Sequence, residues 1–229
     1  MRLRKEILTI GTWNVRTLWE TGKLDLLRNE LKRFRYDILG VSEVRWAEQG
    51  EIATGDFIWS GEENIHANGV GFLLSGKAKN ALIGYNPVSP RVITARFNTT
   101  PFKITAIHVY APTSASSDEE IEAFYNCIEN TLAKVTTKDL ILMSGDWNAK
   151  VGNDNTRWNF VMGRYGFGDR NDRGERLLQF ATAHRLFICN TRFHHKADRK
   201  WTWESPDGVY KNMIDLILVQ QRWKSSVIN

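Results

Sequence analysis

Cysteine is scarce in this chain: Cys127 and Cys189 are the only two in 229 residues, and they form no Cys-x-x-Cys pair. That argues against a disulfide framework and fits a reducing intracellular compartment. Both thiols read as small buried hydrophobes. No apolar run approaches the roughly 20 residues of a membrane span. The basic start Met1–Glu6 is followed only by the short run Ile7–Ile10, too little for a signal-peptide core. Internal repeats, low-complexity tracts and Pro/Gly/Ser linkers are also missing. These absences together predict one soluble intracellular domain spanning 1–229, with no membrane partner.

What is present begins with charge and aromatics. Lys and Arg outnumber Asp and Glu by 31 to 26, so the net charge of +5 favours anionic partners only mildly. A mildly basic soluble protein would look the same by this measure. With 42% hydrophobic and 25% charged residues, a sizeable core is expected. Nine Trp is a high count, enough to supply rings both for the core and for a surface that meets a partner.

Short β-like runs alternate with amphipathic helices. The predicted strands are Ile7–Trp13, Asp37–Ser42, Gly69–Leu74, Val92–Phe97, Lys103–Tyr110, Leu140–Ser144, Phe187–Asn190, Lys200–Trp203 and Ile214–Val219. Several are continuously apolar, as expected of strands covered on both faces. Leu24, Leu27, Leu31 and Phe34 form one helical stripe. Ser117 with Glu120 reads as a capping box ahead of Ile121, Phe124, Ile128 and Leu132. Asp172 with Glu175 marks a third helix start before Leu177, Leu178 and Ala181. Helices alternating with buried strands predict an α/β sandwich.

Four of these runs carry an oxygen-bearing group at or near an end: Asn14, Glu43, Asp146 (with Asn148 two residues on) and Asp215. A carboxylate at the end of a buried strand is costly unless it is paired or binds something. Strand ends are also where ligand sites form in open α/β folds. Each residue has an ordinary reading as well. Glu43 fits a solvated loop, Asp146 a turn or helix cap, and Asp215 a salt-bridge acceptor. The functional reading rests on their joint occurrence. Carboxylate and amide oxygens, with no Cys or clustered His, suit Mg²⁺ better than Zn²⁺ and point to metal-assisted phosphoryl transfer.

Thr12-Trp13-Asn14-Val15, Val41-Ser42-Glu43-Val44-Arg45, Val109-Tyr110-Ala111-Pro112, Gly145-Asp146-Trp147-Asn148 and Met213-Ile214-Asp215-Leu216-Ile217 occur in this order. In that arrangement the chain resembles the endonuclease/exonuclease/phosphatase superfamily from about Ile7 onward. Asn171-Asp172-Arg173-Gly174 and Trp201-Thr202-Trp203-Glu204-Ser205-Pro206 make it similar to the apurinic-type endonucleases of non-LTR (LINE, RTE-type) retrotransposons. The resemblance implies a DNase I-like, four-layered α/β sandwich of two mixed β-sheets flanked by helices. It further implies a monomer acting on duplex DNA in the nucleus with Mg²⁺, for which Mn²⁺ can substitute, and with no small-molecule cofactor. Glu43 would be the principal metal ligand, supported by Asn14. Tyr110 would contact the scissile phosphate, Asp146 would activate or position the attacking water, and Asn148 would hold phosphate oxygens. Asp215 would orient a histidine.

That histidine belongs, by the resemblance, to a Ser-Asp-His type motif beyond the stretch matching Asp215. The 14 residues after Asp215 contain no His, Asp or Glu, and none of His66, His108, His184, His194 and His195 stands in the required context. The expectation is therefore a C-terminally truncated domain lacking the family's final strand, with impaired nicking. No reverse transcriptase pattern accompanies it. For DNA contacts, Arg45 and Trp46 follow a motif-bearing strand, Arg173 flanks Asn171, and Lys196, Arg199 and Lys200 lie in one basic loop. Arg and Lys would bind phosphates, and Trp46 would act as a wedge. Two alternatives stay open: an inactive DNA- or protein-binding remnant, and a phosphatase or RNA-directed phosphodiesterase on the same scaffold.

Overall fold

Strands that read as unbroken apolar runs are buried along their whole length because each lies between another sheet and a layer of helices. In a computed structural model that describes residues 7–228, the elements in chain order are β1 (Ile10–Asn14), α1 (Lys23–Leu31), β2 (Ile38–Ser42), β3 (Gln49–Glu51), β4 (Phe57–Ser60), β5 (Val70–Leu74), α2 (Gly76–Ala81), β6 (Leu82–Ser89), β7 (Val92–Phe97), β8 (Ile104–Tyr110), α3 (Asp118–Ala133), β9 (Leu140–Asp146), α4 (Asp172–Ala183), β10 (Leu186–Ile188), β11 (Trp203–Glu204), β12 (Lys211–Asn212) and β13 (Asp215–Gln220). The basic Met1–Glu6 start lies outside the described residues.

One sheet has the order β1-β2-β5-β4-β3 and the other β10-β13-β9-β8-β7-β6. Both are mixed. β1 runs parallel to β2 and β8 parallel to β9, while the remaining pairs are antiparallel. Three apolar layers separate four layers of structure. Leu27 and Leu31 of α1 pack on Leu39, Val41, Phe57 and Leu73 of the first sheet. Ile38, Phe72, Ile93, Ala95 and Ala106 fill the space between the sheets. Phe124 and Ile128 of α3 and Leu177, Leu178 and Phe180 of α4 cover the second sheet. The α/β sandwich of two mixed sheets flanked by helices is thus the observed architecture. Among the described residues, no helix is long and apolar enough to cross a membrane.

Local chemistry sets most boundaries. The Ser117–Glu120 capping box starts α3 as expected. α4 begins one residue earlier than the carboxylate pair suggested, because the Asn171 side chain, rather than Asp172, accepts the Gly174 N–H. α1 stops at Leu31, so Phe34 falls off the buried stripe and is 57% exposed, edge-on to Trp13. Phe187–Asn190 is a strand only to Ile188, after which Cys189–Thr191 turn as a 3-10 helix. Lys200–Trp203 shrinks to β11, which pairs only with β12.

Candidate active site

Register brings the oxygen-bearing residues together. Tyr110 on β8 is the parallel partner of Asp146 on β9, and Asp146 is the antiparallel partner of Asp215 on β13. Three adjacent strands of the second sheet therefore present these side chains in one row. Across from them, β1 ends at Asn14 opposite Ser42, and Glu43 follows directly. Gly145 is required where it stands, because a Cβ there would lie 2.1 Å from the Val109 carbonyl oxygen.

Asn14 clasps the two halves. Its Nδ2 donates to Glu43 Oε1 at 2.8 Å and to Asp146 Oδ2 at 2.9 Å, while its Oδ1 accepts the Arg16 N–H at 2.9 Å. It supports Glu43 by hydrogen bonding and turns its own oxygen away from the carboxylates. Arg45 pairs with Glu43 Oε2 at 2.8 Å. Asn148 donates its backbone N–H to Asp146 Oδ1 and its side-chain amide to the Ala111 carbonyl. Arg16, Glu43, Arg45 and Asn148 all have left-handed φ, between 46° and 62°. Such backbone is costly for non-glycine residues and gathers where a site over-determines it. Here the turn after β2 is pinned by Val44 N–H to the Gly69 carbonyl and by Arg45 N–H to the Asn68 carbonyl.

Burial shapes the electrostatics. Asp215 is 7% exposed, and burial first and then the Asp146 charge push its carboxyl up to about 7. Its Oδ1 is buried without a hydrogen-bond partner. Burial also raises Asp146, with the Asn14 amide and Asn148 N–H pulling the other way and Glu43 adding to the rise. Burial of the Tyr110 phenol, reinforced by Glu43 and Asp146, raises it well above its ordinary value, so it stays a proton donor. The result is a cleft edge crowded with carboxylates, in which Arg45 pairs with Glu43 while Asp146 and Asp215 have no ion-pair partner among the described residues.

The sequence did not reveal several supports. Thr202 Oγ1 accepts the N–H groups of both Ile214 and Asp215. Asn190 holds β13 through the Asp215 carbonyl and Ile217 N–H. Arg91 lies over the Tyr110 ring, 5.2 Å from its centroid. Thr202 stands inside the Trp-Thr-Trp signature and could have been found there. Asn190 and Arg91 carry no local signal.

The basic residues separate by how they are held. Arg45 is exposed but paired to Glu43. Trp46 is half-buried, edge-on to Phe57 and Trp59, with its indole N–H on the Leu18 carbonyl at 2.7 Å. The exposed indole of that rim is Trp19, which meets His66 at an interplanar angle of 32°. Asn171 caps α4 and accepts the Lys150 N–H, and Arg173 reaches Asp118 and the Ser116 carbonyl. Lys196 and Arg199 are exposed, and Lys200 is half-buried, reaching the Gly166 carbonyl at 3.5 Å. His184 caps the end of α4 beside Glu129, His194 meets Tyr165, and His108 lies buried between the sheets.

The profile of the endonuclease/exonuclease/phosphatase family matches residues 11–228. Craniofacial development protein 2 of Bos taurus is 41% identical over 229 residues, covering 99% of this chain and 38% of that protein. The protein of the same name from Tragulus javanicus is 40% identical, covering 99% and 39%. This chain thus spans about two fifths of the length of these curated relatives. Among solved structures, the 3′ phosphatase NExo from Neisseria, bound to a product DNA hairpin, superimposes with a TM-score of 0.69 at 19% identity, covering 96% of this chain and 89% of that one. The endonuclease domain of TRAS1, a telomere-specific non-LTR retrotransposon, gives 0.61 at 14% identity, covering 93% and 85%. At such identities these two establish the shared fold.

Proposed function

From the premise that this chain belongs to the endonuclease/exonuclease/phosphatase family, we propose that it is a Mg²⁺-dependent phosphodiesterase that nicks duplex DNA. The observation that carries this reading is the row Tyr110–Asp146–Asp215 facing Asn14 and Glu43 across the mouth of two sheets. The DNA-bound phosphatase and retrotransposon endonuclease among its structural neighbours support a nucleic-acid substrate. Nuclear residence follows from that substrate, and action as a monomer belongs to the same reading.

The residues present fit Mg²⁺. Among the described residues, no three His, Cys, Asp or Glu side chains form a closed cage, and Mg²⁺ does not require one. It keeps several waters and binds one or two carboxylates together with substrate phosphate. Glu43 would hold it, with Asn14 fixing the carboxylate, and Mn²⁺ would serve in its place. The buried carboxylates and the partnerless Asp215 Oδ1 call for compensating positive charge or a donor. When bound, the cation supplies polarisation of the phosphate and stabilisation of the leaving oxygen.

The chain's own residues do the rest. Asp146 accepts the proton of the attacking water as its oxygen bonds to phosphorus, a role suited to a carboxylate raised by burial. Tyr110, kept protonated, donates to a phosphate oxygen, and Asn148 holds another. As the new P–O bond forms, the bridging oxygen leaves and takes up a proton. Asp215 would orient the donor of that proton. None of the described histidines fills this place, so the 229 residues alone should nick more weakly by about 10²–10⁴-fold, the usual share of a positioned acid. Arg45 and the 196–200 loop would contact backbone phosphates.

Nicking of supercoiled plasmid with Mg²⁺ or EDTA, beside Glu43→Ala and Asp146→Ala, tests the proposal. Metal-dependent nicking lost in both variants supports it. If nicking appears only after a Ser-Asp-His tail and one further strand are appended, the 229 residues alone are a disabled relative of the active enzymes. If neither form cuts DNA, the substrate assignment fails.

A further inference from the structure

Below the strand ends lies a polar cluster that the proposed chemistry does not use. His108 on β8 is completely buried between the sheets. Its Nε2 is 3.0 Å from Ser42 Oγ on β2, and its Nδ1 is 3.0 Å from Ser144 Oγ on β9. Both serines are buried as well. Burying three polar side chains in an apolar core is costly unless each is satisfied. A neutral imidazole satisfies them, since one ring nitrogen donates and the other accepts. One serine hydroxyl then accepts from the ring and the other donates to it. Room for the ring depends on Gly40, where a Cβ would lie 2.0 Å from His108 Nδ1.

The positions of the three residues give the cluster its meaning. Ser42 immediately precedes Glu43, His108 stands two residues before Tyr110, and Ser144 two residues before Asp146. Along a strand, residues two apart share a face, so His108 lies under Tyr110 and Ser144 under Asp146. His108 and Ser144 are also register partners. Asn14 joins Glu43 to Asp146 at the mouth, and the serine–histidine–serine chain joins the strands that carry them one layer deeper. We propose that the Ser42–His108–Ser144 bridge is a positioning element of the site, fixing the Glu43 carboxylate on one sheet relative to Tyr110 and Asp146 on the other. The assignment rests on the metal-and-phosphate reading of that site.

Ser60 provides the control. It too is buried and joins the sheets, its Oγ donating to the Ser89 carbonyl at 2.8 Å, but its strand carries none of the site residues. Ser42→Ala, Ser144→Ala and Ser60→Ala are compared in the full 229-residue chain by two measurements. The first is amide hydrogen exchange without metal at Val44, Ala111 and Asn148, whose N–H groups bond to Gly69, to the Asp146 carbonyl and to the Asp146 carboxylate. The second is Mn²⁺ binding by calorimetry. Ser42→Ala and Ser144→Ala are expected to speed exchange at these amides by about fivefold or more beyond their global destabilisation. They are also expected to weaken Mn²⁺ binding by about 10-fold or more, as loss of a ligand's support does. Ser60→Ala should do neither at a similar loss of thermal stability. The bridge is overturned if its variants follow Ser60→Ala in both measurements. If the unmutated chain binds no Mn²⁺, the metal reading fails, and exchange at the three amides alone decides the bridge.

Discussion

Replacing His108 by Gln should make the protein more resistant to acid, and the size of the effect follows from where the ring sits. Complete burial pushes His108 down to about 3 from an ordinary value of 6.5. Between those values the unfolded chain holds a proton on this side chain and the folded protein does not. Stability is therefore full above pH 6.5, falls as pH drops through the window, and levels off below about 3. One proton corresponds to about 1.4 kcal/mol per pH unit, so the whole window amounts to about 5 kcal/mol. That is a large part of the ~5–15 kcal/mol by which domains are stable. Gln keeps one donor and one acceptor for Ser42 and Ser144 but cannot be charged in this range. At neutral pH it should be the weaker residue, because the ring's packing near Phe72 is lost. The assay is urea unfolding followed by tryptophan fluorescence at pH 7.5, 6, 5 and 4 for both proteins. The wild-type advantage should shrink by about 1 kcal/mol per pH unit below pH 6 and then reverse. Taking the difference between the two proteins matters, because Asp146 and Asp215, raised by burial, act with the opposite sign and cancel. Parallel pH curves, or a wild-type lead that widens in acid, would refute the reasoning.

Two further substitutions test the packing and charge around the site. Asp215→Asn should stabilise the metal-free protein, because the folded state binds a proton on Asp215 between its ordinary value and about 7, so stability declines as pH rises through that window. The gain should be near zero at pH 4 and approach, as a ceiling, about 4 kcal/mol by pH 8, read from melts in EDTA; an equal gain at both pH values would remove the charge argument. Trp147→Ala should cost about 3–5 kcal/mol, since Trp147 is 2% exposed, packs against Phe124 and Phe180, and donates its indole N–H to the Leu216 carbonyl. A lower denaturation midpoint at unchanged slope is the expected observation, and a loss under 1 kcal/mol would mean that the core closes around the gap.

What could be read from the sequence was what periodicity and strand termini encode. The central strands β2, β5, β7, β8, β9 and β13 were legible because burial on both faces leaves long apolar runs. The edge strands β1 and β10 were legible within the runs Ile7–Trp13 and Phe187–Asn190, whereas β3, β4 and β6 were not. β6 carries Gly84 and Pro87 and is only half-buried, a composition tolerated only where one side of a strand has no partner. β3 is three residues of exposed Gln-Gly-Glu, held solely by β4. Neither shows a continuous apolar run, although Leu82, Tyr85 and Val88 of β6 pack against the core. The end of α1 was misjudged for a related reason: Phe34 continues the spacing of Leu27 and Leu31, but the helix has already stopped.

The site divides along the same line, with a further twist. Asn14, Glu43, Asp146 and Asp215 could be found because a polar oxygen at the end of an apolar run is anomalous within its own few residues. His108, Ser42 and Ser144 are equally polar and more deeply buried, but His108 and Ser144 lie inside apolar runs and Ser42 closes one beside the more conspicuous Glu43, and none looks unusual until the sheets are stacked. Their partners lie 66 and 36 residues away, beyond the reach of any local pattern. The surface residues present the opposite case. Trp46 and Arg173 stand beside motifs and read as DNA contacts, yet Trp46 is locked into an aromatic cluster by Leu18 and Arg173 ties α4 to the start of α3. Trp19, which the sequence did not distinguish from the other tryptophans, is the ring left 57% exposed. Proximity in sequence to a motif selects residues that tie loops and helices together as readily as residues open to solvent. Only the hydrogen-bond partner of each side chain separates them, and those partners lie far away in the sequence, Leu18 for Trp46 and Ser116 and Asp118 for Arg173.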